Sequence, residues 1–349
     1  MRGVSGDLRG PGLRPPPPGL ASLTEGVVPI AAGEHVVAAA IVGDTAMLGL
    51  GDGTVVLATG SDVRRVAAHP GAGLLVGTTD GKGLVTGGDD GRIVRTAADG
   101  DVATLGENPG RWIDAVAVAQ GGAVAWSTGK TVTARDEKGR IRSWTAPSTP
   151  QGLAFAQKGY RLAISHYNGI SLWFPNTETP PDTLAWKGSH LDVTWSADGR
   201  FVVSSMQENT LHGWRLPEKA DMRMSGYPSK TRSFSWSHDG QWLATSGADA
   251  AIVWPFATKD GPMGKAPREC GVRPAKVSRV AFHPGALVLA IGYEDGFILL
   301  CRLTDGGELL VRKGDPEHGA VTALAWDRKG RRMVFGTEGG AAGLLTLPG

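Results

Sequence analysis

The feature that most constrains the fold is a short pattern that recurs eight times along the chain. Each copy reads as a strand, a turn ending in glycine, a second strand, a second tight turn and a third strand, as in FSWSHDGQWLATSGADAAIVW from Phe234. One anchor residue in each second turn fixes the register: Asp52, Asp90, Thr128, Asn168, Asn209, Asp249, Asp295 and Gly339. Successive anchors are 38, 38, 40, 41, 40, 46 and 44 residues apart, so we treat the copies as repeats of one structural unit.

The residues around the anchors indicate strands rather than helices. Glycine follows the anchor in six units, and Asp-Gly and Asn-Gly pairs suit two-residue hairpin turns. The chain has 52 glycines, and few windows show apolar residues at helical spacing. A fourth strand fits between units, and a period of about 40 residues with four strands is typical of a β-propeller blade. The sequence predicts an all-β fold: a single propeller of eight four-stranded blades. Seven is the alternative, because the third unit, around Thr128, is the weakest match.

The ends of the chain suggest how such a propeller closes. Residues 1–20 are rich in Pro and Gly and predict a disordered tail, whose place in the native protein is open. The propeller domain is predicted over 21–349, with the repeats over about 34–349. The last unit runs out after three strands, while Glu25–Gly33 is strand-like and precedes the first unit. We therefore predict that this N-terminal segment supplies the outer strand of the last blade.

The repeats resemble those of the WD40 family, over roughly residues 34–349. That family's blade carries a His before the first strand, an Asp in the turn between the second and third strands, and a Trp on the third strand. The matching residues are His35, His69, His190 and His318; Asp52, Asp90, Asp249 and Asp295; and Trp173, Trp214 and Trp254. The resemblance implies that His and turn Asp of one blade bond to each other, as His35–Asp52 and His69–Asp90, and that the protein is a scaffold for protein partners.

Composition narrows the functional classes. The formal net charge is +2, and no basic block marks a nucleic-acid surface. No window approaches the length of an apolar membrane span, and the N-terminus lacks the apolar region of a secretory signal. Cys270 and Cys301 are too few for a disulfide framework. We expect a cytoplasmic monomer, and the Ala, Gly and Arg content suggests a bacterial member of the family.

Catalytic and metal-binding functions are the alternatives to a protein-binding scaffold. Ser237, His238 and Asp239 are the residue types of a hydrolytic triad, but adjacent residues diverge in space, so we interpret them as a turn. The repeat histidines fall in separate units, which disfavours a zinc site. We predict no enzyme activity, cofactor or metal. The alternative is a propeller enzyme of the hydrolase or lactonase type, with a metal at the central channel.

A protein-binding surface is predicted on the face that carries the second-to-third strand turns. The residues just before five anchors form a partly acidic rim with one aromatic: Asp89, Tyr167, Glu208, Glu294 and Glu338. Trp112 opens the third unit beside Arg111, and exposed Trp and Arg are common interface anchors. An acidic rim favours a basic or Arg-bearing partner.

Overall fold

The chain was analysed as a computed structural model that describes residues 21–119 and 121–348. The predicted tail, residues 1–20, lies outside the described residues. The described part is all-β, with 31 strands and two 3₁₀ turns, Thr24–Gly26 and Pro316–His318.

The strands that precede and form the first three sheets are β1 (Ala21–Ser22), β2 (Val27–Ala31), β3 (Val36–Val42), β4 (Thr45–Leu50), β5 (Thr54–Thr59), β6 (Asp62–Ala67), β7 (Leu74–Thr79), β8 (Gly83–Gly88), β9 (Arg92–Ala97), β10 (Val102–Glu107), β11 (Ala115–Val118), β12 (Val124–Thr128), β13 (Thr131–Arg135) and β14 (Ile141–Thr145). The middle strands are β15 (Gly152–Phe155), β16 (Leu162–Trp173), β17 (Asp182–Trp195), β18 (Phe201–Met206), β19 (Leu211–Arg215) and β20 (Ala220–Met224). The last are β21 (Phe234–Trp236), β22 (Trp242–Thr245), β23 (Ala251–Pro255), β24 (Arg268–Cys270), β25 (Val277–Phe282), β26 (Val288–Tyr293), β27 (Ile298–Arg302), β28 (Glu308–Arg312), β29 (Val321–Trp326), β30 (Arg332–Thr337) and β31 (Ala341–Thr346).

These strands form an all-β propeller. Its hydrogen-bonded sheets number seven across the described residues, which is the alternative count and not the predicted eight. The difference arises in a six-stranded sheet, β15 to β20, which holds the fourth and fifth sequence units. Its long strand β17 serves both: residues 182–185 pair with β16, and residues 192–195 pair with β18. Two units that share one unbroken strand are one hydrogen-bonded sheet, so eight repeats occupy seven sheets.

The N-terminal segment closes the last sheet, as predicted. Strand β2 pairs antiparallel with β31 and completes the order β2-β31-β30-β29. The two residues of β1 pair in parallel with β28 and add an edge strand to the preceding sheet, which the sequence did not indicate. The first and last sheets meet where the Thr322 hydroxyl donates to the Val36 carbonyl over 2.6 Å.

The described residues group into two compact units. The first contains residues 21–50, 56–64 and 225–348, and the second contains residues 51–55 and 65–224. In the first, apolar clusters fill the spaces between successive sheets, and one of them joins Ile30 of β2 to Val36 and Leu48. The Trp326 indole reaches the neighbouring sheet and donates to the Ala281 carbonyl over 3.1 Å.

The second unit repeats this construction. One apolar cluster packs Val132 of β13 against Phe155 of β15 and Trp173 of β16. Trp195 donates its indole N–H to the Ala154 carbonyl over 3.0 Å. The aromatic residue on each of these first strands therefore packs against the preceding repeat.

Candidate functional site

The turns that follow the second strands expose the side chains that the sequence predicted as a binding surface. All seven side chains are exposed. The second compact unit carries Asp89, Arg111, Trp112, Tyr167 and Glu208, and the first compact unit carries Glu294 and Glu338. Their participation in binding stays a prediction.

Trp112 is the most exposed large apolar side chain of the described residues, at 66%. The turn that carries it is held by backbone bonds: Asn108 N–H donates to Gly91 O over 2.7 Å, and Arg111 N–H donates to Asn108 O over 3.1 Å. The next residue, Ile113, is fully buried. The tryptophan therefore projects from a fixed backbone, and little ordering is needed when it contacts another molecule.

Gly91 is required for this arrangement. Its φ is +77°, in the left-handed region, and a Cβ there would collide with the carbonyl oxygen of Asn108. The Trp126 indole N–H secures the Asn108 side chain over 2.6 Å. Gly91, the glycine that follows the anchor Asp90, thus positions the turn that displays Trp112.

The remaining predicted residues of the second unit are held by neighbouring turns. Tyr167 is 55% exposed, and its backbone N–H donates to Ser148 Oγ over 2.9 Å. The Glu208 carboxylate accepts from Ser189 N–H over 3.3 Å, and the Asp89 carboxylate accepts from Gly73 N–H over 2.9 Å. Both carboxylates therefore also support the turns on which they sit.

In the first unit, Glu294 and Glu338 occupy equivalent turns. The backbone N–H of Glu294 donates to Lys276 O over 2.9 Å, and that of Glu338 donates to Ala320 O over 2.9 Å. Their side chains remain exposed. Each turn is thus tied to the segment that precedes its sheet, and its carboxylate faces solvent.

His69 lies at the centre of a buried polar network in the second sheet. Its Nδ1 is 3.1 Å from each carboxylate oxygen of Asp90, and its Nε2 is 2.9 Å from Thr86 Oγ1. Because a carboxylate only accepts, Nδ1 carries the proton and donates to Asp90, and Nε2 accepts from the Thr86 hydroxyl. This is the His–Asp contact that the family resemblance implied.

The other matched repeat positions have different partners. Asp52 accepts from Thr54 N–H over 3.0 Å and lies 3.8 Å from Arg65. Its carboxylate is therefore held by its own turn and by the outer strand β6, not by the expected His35.

His190 is fully buried between Ser204 Oγ and the Trp186 carbonyl. His318 pairs with Asp315 over 2.5 Å in a 3₁₀ turn. The three matched tryptophans, Trp173, Trp214 and Trp254, are all buried.

The Asp and Asn anchors also differ in conformation. Asn168 and Asn209 take φ of 67° and 55°, the left-handed values that Asn tolerates better than other side chains. Asp295 Oδ1 accepts from Phe297 N–H over 3.1 Å, and Asp249 is exposed. Anchors therefore shape the turn in two ways, by the backbone angle or by a side-chain hydrogen bond.

The triad-like stretch is a turn, as interpreted from the sequence. The Ser237 hydroxyl donates to Asp239 over 2.5 Å and accepts from Trp242 N–H over 3.0 Å. The preceding repeat makes the same contact between Ser196 and Asp198 over 2.7 Å. Since His238 is exposed and the Ser–Asp contact recurs without it, the three residues form a repeated structural turn.

The sequence did not reveal a groove in the second unit, at the sheet shared by two repeats. Its volume is about 250 Å³, and its walls are Trp186, Lys187, Met206, Glu208, Thr210 and Arg223. Behind Trp186, the His212 ring stacks at 3.8 Å between centroids and 17° between planes. Trp186-Lys187 has no counterpart in the repeat pattern, because it lies inside the strand that passes from one repeat to the next. Only Glu208 had been predicted as a binding residue.

Three histidines of this shared sheet are neutral at physiological pH. Burial lowers the pKa of His166, His190 and His212, in the last case to about 3. The positive charge of Arg223 contributes to the low pKa of His212. His212 is fully buried, and neither ring nitrogen has a hydrogen-bond partner, although Nε2 lies 3.6 Å from Asp221. The positive charge of a protonated His212 would therefore lack a hydrogen-bond acceptor to stabilise it.

Acidification should therefore destabilise the protein. The folded pKa values lie below the ordinary 6.5, so below that pH the unfolded chain binds more protons. The stabilisation is complete above pH 6.5 and is lost as the pH falls toward the folded pKa values. For His212 alone, we expect the free energy of unfolding to drop by about 2 kcal/mol between pH 7 and 5.

Urea unfolding at the two pH values measures this loss. The variant His212→Phe keeps a ring against Trp186 and should reduce the pH dependence, whereas His238→Gln, at an exposed histidine, should leave it unchanged. Equal pH dependence in the wild type and His212→Phe would show that His212 does not carry the effect.

Two absences within residues 21–119 and 121–348 concern metal binding and membrane crossing. No three side chains among His, Cys, Asp and Glu group closely enough in this part of the chain to hold a metal ion. Within the same residues, no helix has the length and apolar character needed to cross a membrane.

Comparisons with known proteins agree with this geometry. The family model described as "WD domain, G-beta repeat" matches residues 222–254, which contain the sixth sequence unit's Ser–Asp turn. The crystal structure of RRP9 WD40 repeats superposes with a TM-score of 0.58 at 13% identity, covering 77% of this chain and 92% of that chain. The computationally designed Ika8 protein superposes with a TM-score of 0.73 at 18% identity, covering 90% of this chain and 97% of that chain. At these identities the likeness concerns the fold.

A curated relative matches a shorter part of the chain. "Periodic tryptophan protein 2" from Saccharomyces cerevisiae is 22% identical over 173 residues, which cover 42% of this chain. The match spans 18% of that protein's length, so it extends to one part of a much larger molecule.

Proposed function

We propose that this chain, an all-β propeller with one repeat that matches the WD domain, G-beta repeat model, is a non-catalytic scaffold that binds protein partners through the turns following its second strands. Proteins of this repeat type generally bind other proteins.

The observation that carries the proposal is Trp112. A tryptophan with 66% exposure on a hydrogen-bonded turn leaves a large apolar surface in contact with water. Arg111 is exposed beside it, and Trp and Arg are the residue types most enriched among residues that dominate interface energies. Contact with a partner would remove that apolar surface from water at little conformational cost.

Replacement of Trp112 should therefore weaken partner binding and leave the fold intact. Crosslinking and affinity capture from cells of the source organism would identify the partner, and titration calorimetry would compare variants. We expect Trp112→Ala to weaken binding by about tenfold or more, and Arg111→Ala to weaken it less.

Ile141→Ala is the matched control, because Ile141 is an apolar side chain of 55% exposure on the outer strand β14. Its affinity should equal that of the wild type. If the Trp112, Arg111 and Ile141 variants all bound the partner as the wild type does, this part of the surface would not be the binding site.

The proposal includes a setting and a partner class. We propose a cytoplasmic monomer whose partner is a protein rather than nucleic acid or a membrane. The near-neutral net charge of +2 and the two free, buried cysteines support this assignment. Sedimentation of the purified protein and salt-dependent binding tests with RNA and lipid vesicles address it directly.

A further inference from the structure

We propose that the groove lined by Trp186, Lys187, Met206, Glu208, Thr210 and Arg223 binds a peptide segment in which a carboxylate lies next to an apolar side chain. This inference rests on the proposed scaffold function and names the chemistry of one partner segment. It differs from the basic partner that the acidic rim favours.

The size of the groove suits side chains. At about 250 Å³ it lies below the usual 300–1,000 Å³ of pockets for small molecules and cofactors. It is open at the surface of the second unit, and its apolar wall consists of the Trp186 ring and the buried Met206. One apolar side chain of a partner could lie against this wall.

Trp186 is fixed before any partner arrives. The His212 ring stacks on it at 3.8 Å, and the Trp186 carbonyl accepts from His190 Nε2 over 3.0 Å. Both histidines are fully buried, so the contacts that hold Trp186 lie in the interior of the sheet. A rigid aromatic wall lowers the entropy lost when a partner binds.

The charges around the groove favour an anion. Lys187 and Arg223 are exposed, and neither lies within ion-pair distance of a carboxylate in the described residues. Glu208 is the one acidic side chain of the lining, and it already accepts a hydrogen bond from Ser189 N–H. Two cations without carboxylate partners beside one engaged carboxylate make a site for an added carboxylate, to which Arg can donate two parallel hydrogen bonds.

The carboxylate has two sources in a protein partner: an Asp or Glu side chain, or the C-terminus. Fluorescence anisotropy of three labelled peptides distinguishes them. The first is acetyl-Gly-Asp-Leu-Glu-Phe-Gly-amide, the second replaces its acids by Asn and Gln, and the third is Gly-Gly-Leu-Phe with a free C-terminus.

We expect one of the two carboxylate peptides to bind. If it is the acidic peptide, its amide analogue should bind at least about fivefold more weakly. Lys187→Gln and Arg223→Gln should each weaken the preferred peptide by about fivefold, with binding reduced by salt. Lys138→Gln, at an exposed lysine on another turn of the same unit, should bind as the wild type does. Thermal unfolding of each variant verifies that the fold is retained.

Three outcomes would overturn the inference: neither carboxylate peptide binds, the preferred peptide loses no affinity in either the Lys187 or the Arg223 variant, or a single-stranded RNA, oligouridylate, binds more strongly at the same residues. Failure here leaves the scaffold proposal standing if Trp112→Ala still loses its partner. Conversely, if the groove binds the peptide but no partner depends on Trp112, the groove proposal stands and the proposed binding surface at Trp112 is wrong.

Discussion

Deletion of residues 1–33 should lower the free energy of unfolding by on the order of 5 kcal/mol and expose the protein to aggregation. The deletion removes β2, whose five residues pair with β31 in the last sheet. It also removes Ile30, 6% exposed, from the apolar cluster that contains Val36 and Leu48. The loss combines buried apolar area, backbone hydrogen bonds and a newly exposed sheet edge.

Deletion of residues 1–20 is the matched control, since it leaves β1 and β2 in place, and we expect its stability to equal that of the full chain. Urea and thermal unfolding compare the two deletions. A synthetic peptide of residues 21–33 should restore stability to the larger deletion by pairing with β31. If both deletions unfolded alike and the peptide had no effect, strand β2 would not be the element that closes the propeller.

Replacement of His69 by Ala should cost about 3 kcal/mol of stability, because it breaks the buried network of the second sheet. The imidazole is 1% exposed and bonds Asp90 and Thr86 at once. Its removal leaves a cavity, a carboxylate that retains only the Arg92 N–H as a donor among the described residues, and a buried hydroxyl without its acceptor. Chemical denaturation of the purified variant measures the change.

His318→Ala provides the comparison within the same chain. His318 also bonds a carboxylate, Asp315, but both side chains are about two-fifths exposed. A solvent-exposed ion pair of this kind contributes about 0–1 kcal/mol. A loss at His69 no larger than at His318 would contradict the role assigned to the buried network. Asp90→Asn, which keeps the size of the side chain, should fall between the two.

The sequence predicted the architecture well where the signal is local and repeated. Asp-Gly and Asn-Gly pairs encode tight turns in the backbone conformation itself, and eight copies made the register visible. The closing strand was predictable because three strands at one end and one at the other complete a four-stranded sheet. The Ser237–Asp239 turn followed from alignment with its relatives.

The number of sheets and the presence of the groove could not be predicted from the sequence pattern of the individual repeats. Strand β17 reads in sequence as an outer strand and a first strand, and only its pairing with both β16 and β18 makes them continuous. The same continuity places Trp186 against His212, 26 positions later in the chain. The Asp52 contacts likewise depend on Arg65, which lies on a neighbouring strand.

By itself, the sequence determined the repeat, the all-β class, the turns and the resemblance to WD40 repeats, because these rest on φ preferences, strand alternation and spacing that are local to each unit or to the interval between units. The tertiary structure decided which histidines meet an aspartate, which repeats share a sheet and where a groove opens. Those features arise from contacts between residues far apart in the chain, and their energies depend on burial that no single repeat contains.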